Sequence, residues 1–301
     1  MTPTTGFMAL AVNASRTSFG RQSRVGRRSR ARKPAFPDAA ESEYKVILEK
    51  AITEITESAV NSLYVTAETY GGKSFRDSAA DDIEKASDMV DRTIEESIKK
   101  YVQSLESVGS TVDYASQRAF SKTAEPFIRQ KFNQYATNSK TIIGDWQKNN
   151  LSLIKSASRE SIKKIGTVVS DGVRDGTNWK QIQKEIRATS EEMSKSKAEL
   201  IARDQIGDLN AALTKDRQES AGISMYYWRG TDDGRERESH IEMEGVLCRW
   251  DDRDVYSEDD GKTWIPRTGS MPHSHPGEDI NCRCTAEGAV ELELDRMLSE
   301  E

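Results

Sequence analysis

Residues 223–229, with the sequence ISMYYWR, decide the fold class of this 301-residue chain. Aromatic and β-branched side chains are enriched in strands, so we expect this stretch to form a β-strand. It follows a long helical pattern that stops at Gly222, a residue type that readily takes the left-handed turn after a helix. A helical region followed by a short strand-rich region predicts an α+β fold.

Upstream of this strand, apolar residues recur three and four positions apart, which is the spacing of one face of an α-helix. The spacing predicts helices over residues 44–63, 83–105, 112–135 and 146–169. Breaks are expected at Gly71, Gly109 and Pro126. Closer to the strand, we expect a short helix capped by Thr177 or Asn178 and a separate, longer helix over residues 194–221. The polar opposite faces suit either an ordinary helical bundle or a helical arm lying on a partner.

Downstream of the strand, Asp260 and Gly261 stand between two short β-forming stretches and predict a hairpin. The chain is therefore expected to have an N-terminal extended helical region followed by a small α+β domain with a short antiparallel sheet. The corresponding boundaries are 1–37 for a basic arm, 38–169 for the helical region, 170–290 for the α+β domain and 291–301 for an acidic tail.

The N-terminal arm is strongly basic and contains no acidic residue. Removing its eight basic residues from the 44 in the chain leaves 36 against 50 acidic residues, a formal charge of −14 for residues 38–301. A basic arm on an acidic body suits contact with the phosphates of DNA. Disordered solubilising leaders and organelle transit peptides have the same composition. The residues expected to contact DNA are Arg21, Arg24, Arg27, Arg28, Arg30, Arg32 and Lys33.

Composition excludes several other classes of protein. No stretch approaches the roughly 20 apolar residues that a membrane span needs. Residues 7–12 are apolar but too few, and they lack a basic leader, so we expect no secretory signal. Three cysteines cannot all pair in disulfides, which favours a reducing compartment.

Every cysteine and every histidine of the chain lies between His240 and Cys284. In an extended segment the side chains of Cys282 and Cys284 leave the same face, so two thiolates can converge on one tetrahedral zinc ion while Arg283 points away. His240 or Cys248 can complete such a structural zinc site. The alternative is a pair of small buried side chains without a metal.

The tetrapeptide His273-Ser274-His275-Pro276 suggests a second kind of metal chemistry. It resembles the HxHP core of JAMM-type metallo-isopeptidases, in which two histidines hold a catalytic zinc. The downstream serine and aspartate of that pattern are absent from their places, so the third ligand is missing. A metal-dependent hydrolase is therefore the alternative and not the main hypothesis. We expect no enzymatic activity, because no nucleophile–base–orienter set is apparent.

A wider set of residues carries a resemblance to a known family. A helix containing Arg203 leads to the Trp228 strand, then to a D-x-R-x-R-x-x-H segment, a glycine, a proline-containing run and the closing N-C-R-C. Over residues 170–288 this order resembles the phage Mu F-like family of head morphogenesis or minor head proteins. Asp204-Gln205 departs from the Thr-Glu usual there. The matching residues are Asp233, Arg235, Arg237, His240, Gly245, Asn281, Cys282, Arg283 and Cys284.

The resemblance implies a minor head protein that assembles in the host cytoplasm and becomes part of the virion, in the head interior or at the portal vertex. It also implies portal and capsid partners and a role in head assembly, DNA packaging or DNA delivery. Among the matching residues, Arg235 and Arg237 are expected to pair with Asp232 and Asp233 and pin the turn, or else to face phosphate. His240 is either a partner of the two cysteines or a hydrogen-bonded core residue.

Overall fold

A computed structural model describes residues 34–70, 79–124, 137–231 and 236–299. The seven basic residues expected to contact DNA lie outside the described residues, as do the predicted breaks at Gly71 and Pro126. The predicted α+β class is confirmed, with long helices first and a small antiparallel sheet near the C-terminus. None of the described helices is both long enough and apolar enough to cross a membrane.

Within the described part of the chain, five long helices precede the sheet. They are α1 (Asp38–Tyr70), α2 (Ala79–Ile98), α3 (Val102–Ala124), α4 (Ser139–Arg174) and α5 (Trp179–Ser220), with a single 3₁₀ turn, Lys99–Tyr101, between α2 and α3. Asn178 caps α5, because its Oδ1 accepts the backbone N–H of Lys180 at 2.8 Å. Of the two predicted capping residues, Asn178 is therefore confirmed.

Two predicted helix boundaries are wrong. Gly109 lies inside α3, where burial of its neighbours Val108 and Val112 offsets the cost of about 1 kcal/mol that glycine brings to a helix. The predicted short helix and the helix over residues 194–221 form one 42-residue helix, α5. No glycine or proline interrupts the chain between Ile186 and Ser194, so nothing there stops the helix.

The chain folds into two compact units that are interleaved along the sequence. The helical unit comprises the described parts of 39–109 and 144–202, and the sheet unit comprises the described parts of 1–38, 110–143 and 203–301. The predicted boundary at residue 170 falls inside α4, which continues to Arg174. A linear division of the chain at residue 170 therefore does not describe how its residues pack.

The core of the helical unit is built from the apolar stripes that the sequence predicts. Tyr44, Leu48 and Ile52 of α1 are fully buried. The ring of Tyr44 packs 5.3 Å from that of Trp146, and its hydroxyl donates to the side chain of Asn150. Burial raises the pKa of Tyr44 well above its usual value. A buried polar pair of this kind fixes the relative position of α1 and α4.

The sheet unit has β1 (Met225–Arg229) at the centre of a three-stranded antiparallel sheet. Its neighbours are β2 (Leu247–Arg249) and β5 (Thr285–Gly288). Trp228 pairs with Ala286, and Tyr226 pairs with Cys248. Because strand side chains alternate, Tyr226 and Trp228 share one face, where they join a buried cluster with all three cysteines. The helix α6 (Glu238–Ile241) lies between β1 and β2 in sequence.

The turns around this sheet follow the sequence signals. Gly222 has a φ of 79°, and the backbone N–H of Ile223 donates to the carbonyl of Gln218, as in a Schellman motif. The predicted hairpin is confirmed as the pairing of β3 (Val255–Tyr256) with β4 (Ile265–Pro266). Asp260 and Gly261 in its loop both have positive φ.

Residues 291–299 of the predicted acidic tail are helical. The last helix, α7 (Val290–Ser299), buries Val290 and Leu294. The carboxylate of Glu293 accepts hydrogen bonds from the backbone N–H groups of Ser224 (2.9 Å) and Met225 (3.1 Å). An acidic side chain with such partners holds the start of β1 rather than extending into solvent.

Candidate metal centre

Three side chains from two elements of the sheet unit meet on one buried point. His240 lies on α6, while Cys282 and Cys284 lie on the segment that enters β5. We call these three residues the thiol–imidazole cluster. Their Nδ1, Sγ and Sγ atoms all lie within 4.8 Å of one another, and all three residues are buried. The predicted convergence of the two cysteines with His240 is therefore observed.

The local sequence explains how the cysteine segment reaches this point. Asn281 has a φ of 59°, a left-handed conformation that asparagine tolerates better than most residues. The segment also lies against α5 at Gly207, where a Cβ would stand 2.8 Å from the carbonyl oxygen of Cys282. The backbone N–H of Asn281 donates to Oδ1 of Asp204 at 3.0 Å. Asp204, one of the two departures from the family pattern, thus anchors the segment that carries both thiols.

The distances within the thiol–imidazole cluster are regular. Nδ1 of His240 lies 3.5 Å from Sγ of Cys282 and 3.5 Å from Sγ of Cys284. On the other side of the ring, Nε2 of His240 donates to Oδ2 of Asp279 at 3.0 Å. That bond leaves Nδ1 facing the two sulfur atoms, where it donates to a thiolate when the ring is protonated and presents a lone pair when the ring is neutral.

Electrostatics favour a thiolate at Cys282. The hydrogen bond with Cys284 and then that with His240 lower the pKa of Cys282 to about 5, against the opposing effect of burial. The same hydrogen bond, together with burial, raises the pKa of Cys284. Burial lowers the pKa of His240, but its bonds to Cys282 and Asp279 outweigh burial and raise it overall. The cluster therefore concentrates negative charge on sulfur beside an imidazole.

A cavity of about 120 Å³ opens onto the cluster. Its wall includes Glu236, whose Oε1 lies 3.6 Å from Sγ of Cys284. Glu236 and Asp279 border the cluster, and neither is among the site residues expected from the sequence. Each lies within four positions of a cluster residue, and this proximity is the only signal that could have found them.

Cys248 is not part of the cluster, contrary to the prediction that it can be a zinc ligand. Its Sγ accepts a hydrogen bond from Nη2 of Arg267 at 3.1 Å. Burial raises the pKa of the Cys248 thiol, and Arg267 opposes that rise. Strand pairing opposite Tyr226 fixes the position of Cys248, so this thiol has a guanidinium rather than an imidazole as its partner.

The two histidines of the HSHP segment, which we call the histidine pair, bind different partners. His273 is half exposed, and its Nδ1 lies 2.7 Å from Oδ1 of Asp254. His275 is buried, and its Nδ1 lies 2.8 Å from the hydroxyl of Tyr226. Among the described residues, neither belongs to a group of side chains arranged to hold a metal ion. This arrangement gives the hydrolase alternative no support.

The remaining residues of the family pattern hold the loops of the site. Arg237 donates from Nη2 to the carbonyl of Ile280 at 2.7 Å, and its predicted partners Asp232 and Asp233 lie outside the described residues. Gly245 has a φ of 74°, and its N–H donates to the carbonyl of Trp228. The guanidinium of Arg283 lies 5.8 Å from the ring centre of Phe36. Asp233 and Arg235 lie outside the described residues.

The fold and the cluster together define a class of protein, in which long helices lead into a small α+β domain closed by a Cys-x-Cys segment. Residues 163–287 match the family described as Phage Mu protein F like protein, so the predicted family is confirmed for this part of the chain. The chain is also 35% identical over 135 residues to a protein of Haemophilus influenzae described as uncharacterized. That alignment covers 45% of this chain and 26% of the relative, so the chain spans about a quarter of the relative's length. No solved structure matches the chain.

Proposed function

We propose that this chain is a bacteriophage minor head protein that acts in head morphogenesis. The observation that carries the proposal is the family match over residues 163–287. The matched segment contains the whole thiol–imidazole cluster and the loops that Arg237 and Asp204 anchor. The family pattern therefore coincides with residues that hold a buried centre together.

The proposed role is structural rather than enzymatic. The described residues of the family pattern contact backbone groups, ring faces or one another, as expected for a scaffold. The cluster residues are almost completely buried and the cavity beside them is only about 120 Å³, which restricts the access of a substrate to the thiols. Cysteines that act as nucleophiles lie in partly exposed positions.

We further propose portal and capsid proteins as partners, with the chain in the head interior or at the portal vertex of the virion after assembly in the host cytoplasm. The charge layout supports this placement. The acidic body of residues 38–301 suits docking on proteins, and the basic arm suits packaged DNA. A role in DNA packaging or delivery would use Arg21, Arg24, Arg27, Arg28, Arg30, Arg32 and Lys33.

Mass spectrometry of purified phage particles and of empty precursor heads tests the assembly role. We expect the chain in both, at a fixed and low number of copies per head. A phage whose copy of this gene is interrupted should form defective heads, and the intact gene supplied in trans should restore them. Absence of the chain from mature and precursor heads alike contradicts the proposal.

The basic arm favours a second candidate, a DNA-binding protein that acts outside the particle. This candidate predicts tight, salt-sensitive DNA binding by the free protein. A gel-shift titration should compare the full chain with a chain lacking residues 1–37. If the free protein binds tightly through the arm and is absent from particles, the DNA-binding candidate replaces the head protein.

A further inference from the structure

The thiol–imidazole cluster has the dimensions of a zinc site. In a tetrahedral zinc site with Zn–S of about 2.3 Å and Zn–N of about 2.0 Å, sulfur and nitrogen ligands are about 3.5 Å apart. Nδ1 of His240 lies 3.5 Å from both sulfur atoms. A single thiol–imidazole nucleophile needs only one of these contacts, whereas a metal site accounts for both.

We propose that His240, Cys282 and Cys284 bind a structural zinc ion and that Glu236 provides the fourth ligand. Zinc accepts sulfur, imidazole nitrogen and carboxylate oxygen in one tetrahedral shell. The site does not depend on the proposed role in phage heads, because it rests on the geometry of the sheet unit alone. It links α6 to the segment that enters β5, two elements more than 40 positions apart.

We assign the fourth position to Glu236 rather than to Cys248. The carboxylate of Glu236 does not lie within 4.8 Å of all three cluster atoms, so it must move closer to them when zinc binds. Oε1 of Glu236 lies 3.6 Å from Sγ of Cys284, close to the oxygen–sulfur separation of about 3.5 Å in a tetrahedral shell. Gly230 makes room for this carboxylate, since a Cβ there would stand 2.1 Å from Oε1. Sγ of Cys248 binds the guanidinium of Arg267 instead.

The surroundings of the cluster are those of a metal site. Asp279 accepts the Nε2–H of His240, the carboxylate–histidine arrangement that orients a ligating imidazole. The backbone N–H of Cys284 lies 3.4 Å from Sγ of Cys282 and donates to it, which stabilises a thiolate. The ring of Trp228 meets that of His240 edge to face at 5.4 Å, so one side of the site is apolar.

Metal analysis of the full chain, purified without chelator and without added metal, tests the proposal. We expect about one zinc ion per chain, and less than about a tenth of that in C282S/C284S, because both sulfur ligands are removed. Cys248→Ser is the matched control, since it makes the same change at a buried cysteine outside the cluster, and it should keep its zinc. A wild-type chain without zinc, or a C282S/C284S chain with as much zinc as C248S, overturns the proposal.

Cobalt binding provides a measurement that needs no variant. The wild-type chain, freed of metal under reducing conditions and titrated with Co²⁺, should develop sulfur-to-cobalt charge transfer and the visible bands of tetrahedral cobalt. Saturation at one equivalent without these bands overturns the proposal. Rapid alkylation of Cys282 that zinc does not slow also overturns it, because that result identifies a free nucleophile.

Variants of Asp279, Glu236 and Gly230 test which residues bind or orient the zinc ion. Asp279→Asn should weaken zinc affinity about 10- to 100-fold, measured by competition with a chromophoric chelator. Glu236→Gln should weaken it as well, and Gly230→Ala should have the same effect because the new methyl displaces the carboxylate. Unchanged affinity and an unchanged cobalt spectrum in both E236Q and G230A remove Glu236 from the shell and overturn that part of the proposal.

Discussion

Two histidine-bearing segments of the sheet unit have opposite arrangements. In the thiol–imidazole cluster, one imidazole faces two sulfur atoms at equal distances, and a carboxylate orients it from behind. In the histidine pair, two imidazoles only two positions apart face a surface aspartate and a buried tyrosine. Whether several possible metal ligands meet at one imidazole therefore depends on which side chains the surrounding elements place opposite the ring. Closeness of two histidines in sequence does not decide it.

The largest expected difference between the two segments is their response to metal removal. A chelator should lower the unfolding temperature of the wild-type chain and reduce its free energy of unfolding by several kcal/mol, because the proposed structural zinc would contribute directly to folding. Near-ultraviolet circular dichroism reports the loss through Trp228, which packs on His240.

C282S/C284S is the control for that experiment, and its unfolding should be insensitive to the chelator. A variant of the histidine pair, His275→Gln, should keep the chelator sensitivity of the wild-type chain. Equal sensitivity of C282S/C284S and the wild-type chain would contradict the difference between the two segments.

The histidine pair should add its own acid sensitivity to the loss of zinc that follows protonation of the thiolates. Burial lowers the pKa of His275 to about 4, with Glu278 opposing the shift and cationic neighbours adding to it. The unfolded chain protonates this imidazole near pH 6.5. The free energy of unfolding should therefore fall by about 2 kcal/mol as the pH drops from about 6.5 to 4, because the unfolded state binds the proton first.

Chemical denaturation across this pH range measures the effect as a difference between the wild-type chain and His275→Gln. The variant should lose less stability over the same range, because glutamine has no proton to bind. The same series in His273→Gln should follow the wild-type chain. Parallel stability curves for the wild-type chain and H275Q would show that His275 does not titrate in this way.

Several features of the fold and of the cluster can be predicted from local sequence. The Gly222 helix stop, the hairpin at Asp260-Gly261 and the meeting of Cys282 with Cys284 depend on neighbours within a few positions. Local signals suffice there because backbone sterics and strand alternation act over that range.

The failures involve partners from distant elements. Cys248 is a plausible ligand by residue type, yet strand pairing opposite Tyr226 gives its thiol a different partner. Asp204 anchors Asn281 across 77 positions, and no pattern in one sequence indicates that contact. The interleaving of the two compact units also joins segments that are distant in sequence, so no local break in the helical pattern indicates it.

Loss of the hydrogen bond between Tyr226 and His275 should have a moderate effect on stability. Tyr226→Phe removes the hydroxyl that lies 2.8 Å from Nδ1 of His275 and should lower the free energy of unfolding by about 1 kcal/mol. Its zinc content should equal that of the wild-type chain, because Tyr226 contacts no cluster residue through that hydroxyl. Loss of zinc in Y226F would mean that the two segments are energetically linked.

The smallest effect should come from the exposed member of the pair. The side chain of His273 is 54% exposed, and that of its partner Asp254 is 60% exposed. Solvent screens an ion pair of this kind, so His273→Ala should change the free energy of unfolding by less than about 0.5 kcal/mol. Urea denaturation at pH 7 measures this, with Asp254→Ala as the matched change on the other side of the pair. If H273A instead lowered both stability and zinc content, the HSHP segment would be part of the metal centre, and the contrast drawn between the two segments would be wrong.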